Sequence, residues 1–157
     1  VLHSFIHAHK SLPETSLKLV LVGPKPQKEE LDDHLSNWLK THPNTMYSLQ
    51  NITENTLEKL YKYAQALVFP SFIEGFGWPP LEAALRGCPV ITTRTGAISD
   101  LLGNCAKYVE AENQSSIDHG VIQALQLPRS TQRPIALPSH EDCRKQYFDL
   151  YDQMMAS

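Results

Sequence analysis

The sequence predicts an α/β domain: a doubly wound parallel sheet with helices on both faces. Three observations carry that expectation. Short apolar, β-branched runs, of which Ser16-Leu-Lys-Leu-Val-Leu-Val22 is the clearest, alternate along the chain with stretches whose apolar residues recur every three to four positions. A helix between successive strands forces a crossover, so the strands pair in parallel and the crossovers are right-handed. The third observation is size and composition: 157 residues, 41% hydrophobic and 20% charged, are ordinary usage for one globular domain with a real core.

The elements follow in order. Leu2, Phe5, Ile6 and His9 share one helical face near the start, with His3, His7 and Lys10 towards the other. His3 and His7 have the four-residue spacing of metal-binding histidines. Ser4 stands where a zinc-protease helix carries glutamate, so the reading is a solvated face. The strand Ser16–Val22 is ended by Gly23-Pro24. Lys28 to Lys40 reads as helix, with Leu31, Leu35, Trp38 and Leu39 inward and Trp38 as core. Thr45–Leu49 is a strand, followed by a turn at Asn51-Ile52. Thr53 through Tyr63 is a helix with Thr53 as N-cap and Leu57, Leu60 and Tyr61 inward. Ala66–Phe69, Pro89–Thr92 and Lys107–Val109 complete the strands; Ile98–Leu102 is a helical turn and Ser115–Leu127 a helix. Pro128 to Pro138 is a connector, after which Ser139-His-Glu-Asp142 resembles a capping box. It opens a last helix with Cys143, Tyr147, Leu150, Tyr151 and Met154 on one stripe. The expected organisation is a main domain over 1–127 with a connector and C-terminal helix, 128–157, packing on it.

One stretch carries chemistry: Ser71-Phe-Ile-Glu-Gly-Phe-Gly-Trp-Pro-Pro-Leu-Glu-Ala-Ala-Leu-Arg-Gly87. It reads strand, tight loop, helix. Pro79 and Pro80 suit a first helical turn, and Gly87 suits a left-handed C-terminal cap. A loop at the carboxyl end of a parallel strand, aimed along a helix N-terminus, is where open α/β sheets bind anions. The candidate N–H donors are Gly75, Phe76, Gly77, Trp78 and Leu81, because the two prolines have none. A phosphate fits there. Glu74 and Glu82, beside it, then accept hydrogen bonds from hydroxyls such as a sugar or ribose offers. For Glu82 the bland reading is a favourable partner for the helix dipole. Arg94 and Lys25 lie in loops at the same edge and read either as phosphate contacts or as solvated charges.

Composition excludes several functions. A net charge of −3 gives no reason to expect nucleic acid or an anionic membrane surface as partner. No apolar run approaches a membrane span, and no signal peptide opens the chain. Cys88, Cys105 and Cys143 are odd in number and far apart, so neither a disulfide framework nor a zinc site is indicated and a reducing cytosol is expected. Asn51-Ile-Thr53 and Asn113-Gln-Ser115 match the glycosylation tripeptide by chance.

Glu74-Gly-Phe-Gly-Trp-Pro-Pro-Leu-Glu82, two glutamates separated by seven residues, resembles the E-x7-E signature of retaining glycosyltransferases of the two-domain GT-B fold, in the group 1 (family 4) class. Leu57-Glu-Lys-Leu-Tyr61, Ala66-Leu-Val-Phe-Pro-Ser71, Ala83-Ala-Leu-Arg-Gly-Cys-Pro-Val-Ile91 and Thr95-Gly-Ala-Ile-Ser-Asp100 resemble that family's blocks in its order. The resemblance covers nearly the whole chain and weakens after about Leu127. It implies a Rossmann-like, donor-binding C-terminal half that lacks its first strand, the Arg and Lys that hold the pyrophosphate, and the acceptor-binding domain. It implies that Glu74 meets the donor sugar's hydroxyls as the catalytic acidic residue. The N–H groups of Phe76 to Trp78 lie near sugar and phosphates, Glu82 takes the ribose hydroxyls, and Gly23 and Ile52 line the base site. The implied partner is a GDP- or UDP-linked sugar. No cofactor and no metal are implied, since nothing resembles the acidic metal-binding pair of the other glycosyltransferase fold. The implied location is cytoplasmic, with membrane association only through the acceptor or the missing domain. The implied role is hexose transfer to a glycan or lipid-linked acceptor in surface polysaccharide synthesis; the alternative is a non-catalytic nucleotide-sugar-binding or regulatory module. A sugar-nucleotide epimerase of the same fold is disfavoured by the spacing of the glutamates.

Overall fold

A computed structural model describes residues 1–27 and 31–126, together with Glu141, Arg144, Lys145, Phe148, Asp149 and Met154. The connector at 128–138, the capping box and the stripe of the last helix lie outside the described residues, apart from Glu141 and Met154. In order the elements are α1 (Leu2–Ser11), β1 (Leu19–Val22), α2 (Asp33–Thr41), β2 (Met46–Leu49), α3 (Glu54–Tyr63) and β3 (Leu67–Phe69). Then come α4 (Trp78–Leu85), β4 (Val90–Thr92), α5 (Ile98–Leu102), a 3-10 turn (Gly103–Cys105), β5 (Ala106–Tyr108) and α6 (Gln114–Gln126).

Every strand pairing is parallel, as the alternation requires. Leu19 pairs with Met46, and Val90 sits between Leu67 and Ala106. The strands are grouped in two sheets, β1-β2 and β3-β4-β5, so the hydrogen-bonded ladder is interrupted between the two groups. The hydrophobic interior bridges that interruption. Phe5, Ile6 and Ala8 of α1 share a cluster with Leu17 and Leu19 on one side and with Val68 and Ile91 on the other.

Strand alternation divides the interior into two layers. Val68 and Ile91 join α1, α2 and α6, whereas their neighbours Leu67 and Val90 join Tyr61 of α3, Leu81 and Ala84 of α4, and Ile98 and Leu102 beyond. Successive strand side chains point to opposite faces, so helices on both sides are the only arrangement that buries each set. The expected doubly wound class is what the chain adopts.

The caps show how local chemistry sets the helix ends. Thr53 caps α3 as expected, its Oγ1 accepting the Thr56 N–H at 3.3 Å. The helix read from Lys28 begins only at Asp33 among the described residues. Asp32 holds extended backbone and its Oδ1 accepts the Leu35 N–H at 2.8 Å, a side-chain bond that fixes the start where periodicity alone could not. Trp38 is core, as read, with its ring edge-on to Phe5 at 5.8 Å. His3 is exposed and lies 3.0 Å from Asp32, while α1 turns Ser4, Phe5, Ile6 and Ala8 inward.

The Leu35 N–H, with His3 in support, holds the Asp32 carboxyl below the usual carboxylate range. A depressed folded-state pKa means stability present above the unfolded pKa and lost as pH falls through the folded one. Asp32→Ala is therefore expected to lower the melting temperature by a few degrees at neutral pH. The gap from the parent should close below about pH 4, which thermal melts across a pH series would read.

Candidate functional site

The loop between β3 and α4 is held from the neighbouring strand. The buried Thr92 and Thr93 donate through Oγ1 to the carbonyls of Phe69 at 2.9 Å and Ser71 at 2.6 Å. Ser71 Oγ donates to the Ile73 carbonyl at 3.1 Å, and the Ala97 N–H donates to the Gly75 carbonyl at 3.2 Å. Gly96 makes the last contact possible. With φ at +54°, its missing Cβ would lie 2.1 Å from the Glu74 carbonyl oxygen and 2.4 Å from that of Gly75. Two backbones thus lie against each other, and the one that carries Glu74 has no room to shift towards β4.

The turn into α4 is made by Gly77, left-handed at φ +84° and without any side chain to cap the helix. The first-turn donors are consequently open. The N–H groups of Phe76, Gly77 and Trp78 have no hydrogen-bond partner among the described residues. Leu81, expected as a further donor, is not available: its N–H donates to the Gly77 carbonyl at 3.2 Å, the first bond of the helix. Pro79 and Pro80 fall in the first turn, and Gly87 takes φ +70°, both as read.

Around these donors, Glu74 is half-buried and its carboxylate pairs with no described residue. Gly75 and Trp78 are exposed, and the Trp78 ring lies 4.5 Å from that of the half-buried Phe76. Glu82, one helical turn on, is half-buried, and its charge bears on the phenol of the buried Tyr61 of α3. Burial, and then the Glu82 charge, push the Tyr61 phenol up to about 12, so it remains a neutral donor.

The remaining candidates are placed elsewhere. Gly23, at φ +136°, follows β1; its N–H donates to Leu49 at 2.9 Å and its carbonyl accepts from Ser48 at 3.3 Å. Ile52 is half-buried in the turn after β2, next to Asn51 at φ +51°. Both occupy carboxyl ends of strands in the two-stranded sheet, and no hydrogen bond links them to the 74–82 segment among the described residues. Arg94 sets its guanidinium 3.9 Å over the Tyr108 ring, a stacked cation rather than an open one, and Lys25 is exposed. No group of three or more His, Cys, Asp or Glu among the described residues could hold a metal ion.

Two residues in this arrangement escaped sequence reading as site components. Tyr61 was legible only as an inward position of its helix, although it ends the Leu57–Tyr61 block. Gly96 was placed at the right edge without its reason, which is contact with a backbone twenty residues away.

Comparison with known proteins gives the family. A family model described as Glycosyl transferases group 1 matches residues 2–137. The chain belongs to that family. Among curated relatives of this group 1 glycosyl transferase chain, the O-antigen chain mannosyltransferase RfbU of Salmonella typhimurium is 30% identical over 84% of the chain. The O-antigen chain mannosyltransferase B of Escherichia coli is 28% identical over 80%. The chain spans 37% and 33% of their lengths. Of solved structures, WaaG, a glycosyltransferase involved in lipopolysaccharide biosynthesis, aligns over 80% of the chain and 33% of its own with TM-score 0.61 at 24% identity. AviGT4, a glycosyltransferase involved in avilamycin A biosynthesis, aligns over 98% of the chain and 48% of its own with TM-score 0.55 at 17% identity. These likenesses agree with the α/β layering described above. No helix among the described residues is long and apolar enough to cross a membrane.

Proposed function

We propose that the chain is the C-terminal, donor-binding half of a retaining GT-B glycosyltransferase that moves a hexose from a nucleoside-diphosphate sugar to a glycan or lipid-linked acceptor. The observation that carries this reading is the run of N–H groups at Phe76–Trp78, and the Glu74 carboxylate beside it, that have no partner among the described residues. The leaving group of such a transfer is a diphosphate. Fixed main-chain dipoles at a helix N-terminus stabilise the charge that grows on its oxygen without reorganising. Glu74, without a partner among the described residues, accepts from hydroxyls of the donor sugar, and Glu82 accepts from the ribose. Gly23 and Ile52 contribute the base side of the site. The leaving phosphate itself assists the acceptor, so no separate general base is assigned.

The relatives' roles in O-antigen synthesis support surface polysaccharide as the product class, and their names make mannose the first donor sugar to try. Since the chain is about a third of their length, the basic clamp on the diphosphate and the acceptor site belong to the rest of a longer protein, acting at the cytoplasmic side. Screening that full-length protein against GDP- and UDP-linked sugars by thermal shift tests the reading, because a ligand bound only by the native state raises its stability. A donor is expected to raise the melting temperature and to be consumed in transfer. Binding without transfer would return the non-catalytic alternative, and no shift with any nucleotide sugar would overturn the reading. Glu82→Gln is expected to weaken nucleotide binding about tenfold, the worth of one hydrogen bond to a charged group. Titration calorimetry reads it, and unchanged affinity removes Glu82 from the site.

A further inference from the structure

Arg94 is a cation at the carboxyl edge of the sheet that the reading above leaves without a task. Among the described arginines, Arg86 donates to the Glu82 carbonyl at 3.1 Å and stands 3.5 Å from Glu58, and Arg144 stands 3.6 Å from Glu141. Arg94 has neither a hydrogen bond nor an ion pair among the described residues; even Asp100, whose charge bears on the same Tyr108 phenol, does not pair with it. What holds it is the Tyr108 ring, 3.9 Å from the guanidinium. That ring is itself fixed, because Tyr108 is in register with Thr92 in the ladder and its hydroxyl donates to the Gly103 carbonyl at 2.9 Å. A solvated arginine moves among many rotamers, whereas this one is exposed and yet held. Stacking occupies a face of the guanidinium plane; the N–H groups lie along its edge.

The main chain of Arg94 is anchored on both sides to the loop that carries Glu74. Thr93, just before it, donates to the Ser71 carbonyl at 2.6 Å, and Gly96, two residues on, lies against the Glu74 and Gly75 carbonyls. We propose that Arg94 is a substrate-binding residue that takes a phosphate group at the carboxyl end of β4, held ready for it by Tyr108. The proposal rests on the transferase reading and adds a ligand contact to that site. A phosphate arriving beside Glu74 meets a like charge, and helix N–H dipoles offset only about half a charge. A full positive charge at the next strand end offsets the rest, and the planar fork of a guanidinium matches two phosphate oxygens. Holding the side chain in advance removes an ordering cost that binding would otherwise carry. The donor's diphosphate and a phosphate on a lipid-linked acceptor present the same chemistry. Because the side chain reaches over β5, on the side of β4 away from β3 and Glu74, the acceptor is the expected source.

The test is titration calorimetry on the full-length protein, parent against Arg94→Gln, in two arms. One arm titrates GDP and UDP; the other titrates farnesyl diphosphate, with farnesol as its uncharged control, into protein saturated with the nucleotide that binds. Arg94→Gln is expected to lose about tenfold in affinity for farnesyl diphosphate, to bind farnesol like the parent, and to keep its fold by circular dichroism. Arg94→Lys, which keeps the charge without the fork, is expected to lose about threefold, and Tyr108→Leu, which frees the arginine, about as much. A tenfold loss in the nucleotide arm instead gives the phosphate to the donor and keeps the proposal. No loss in either arm overturns it, and so does a variant that loses only stability, which is what a purely structural stack would show. Should Arg94→Gln melt too low to titrate, Arg94→Lys decides by the same comparison. If the parent binds no nucleotide and no nucleotide sugar, the transferase reading fails and this proposal with it; if the parent binds and Arg94→Gln binds equally, Arg94 alone is removed.

Discussion

Gly96→Ala is expected to destabilise the protein by about 2–4 kcal/mol, the sum of an overpacked contact and a left-handed alanine. A Cβ at this position would stand 2.1 Å from the Glu74 carbonyl oxygen and 2.4 Å from that of Gly75. Those atoms are backbone and cannot rotate aside as a flexible side-chain end can, so the loop carrying Glu74 must move as a unit. The Ala97 to Gly75 hydrogen bond, 3.2 Å long, would go with it. Nucleotide-sugar turnover in the full-length protein should fall at least tenfold, since placement errors of about an ångström cost catalysis heavily. Gly103→Ala tests backbone strain without a contact: φ is also positive there, at +48° with ψ −119°, but nothing lies within 4 Å, so turnover should be left alone. Urea unfolding reads the stability of both variants, and a Gly96→Ala variant that keeps its turnover would show that the contact with Glu74 does not set the effect.

Glu74→Gln carries the largest effect on rate. Its side chain pairs with no described residue, so no described contact depends on its charge and the variant should melt within about 0.5 kcal/mol of the parent. In the proposed reaction its carboxylate holds the sugar whose charge changes most in the transition state. Turnover is therefore expected to drop about 10²- to 10³-fold while nucleotide affinity stays within about twofold. Steady-state kinetics with the donor found in the thermal screen, set beside GDP or UDP titration, separate the two quantities. A variant that loses affinity and keeps its rate would move Glu74 from the sugar to the nucleotide.

Much of this architecture was legible because it rests on local rules. Alternating apolar runs and helical periodicity gave the order of elements; Thr53 gave a helix start, and Pro79-Pro80 and Gly87 marked the two ends of α4. Features that depend on distant partners were not legible. The interruption between the two sheets cannot be seen in any one strand, because each reads as a buried strand whether or not a neighbour is hydrogen-bonded to it. Asp32 sets the start of α2 at Asp33 through a bond from the Leu35 N–H that periodicity ignores. Leu81 seemed a free donor until α4 was found to begin at Trp78, which commits its N–H to Gly77. Arg94 gave no hint of stacking on Tyr108, since that contact joins the carboxyl ends of adjacent strands.

The seam between residues 69–75 and 92–97 bears on how such enzymes can be recombined. Two threonine hydroxyls, one amide and one absent methyl group join these segments, so neither has an independent shape. Grafting the acidic loop of another family member onto this scaffold by itself would import one half of a matched pair. Chimeras that change donor preference must exchange both segments together.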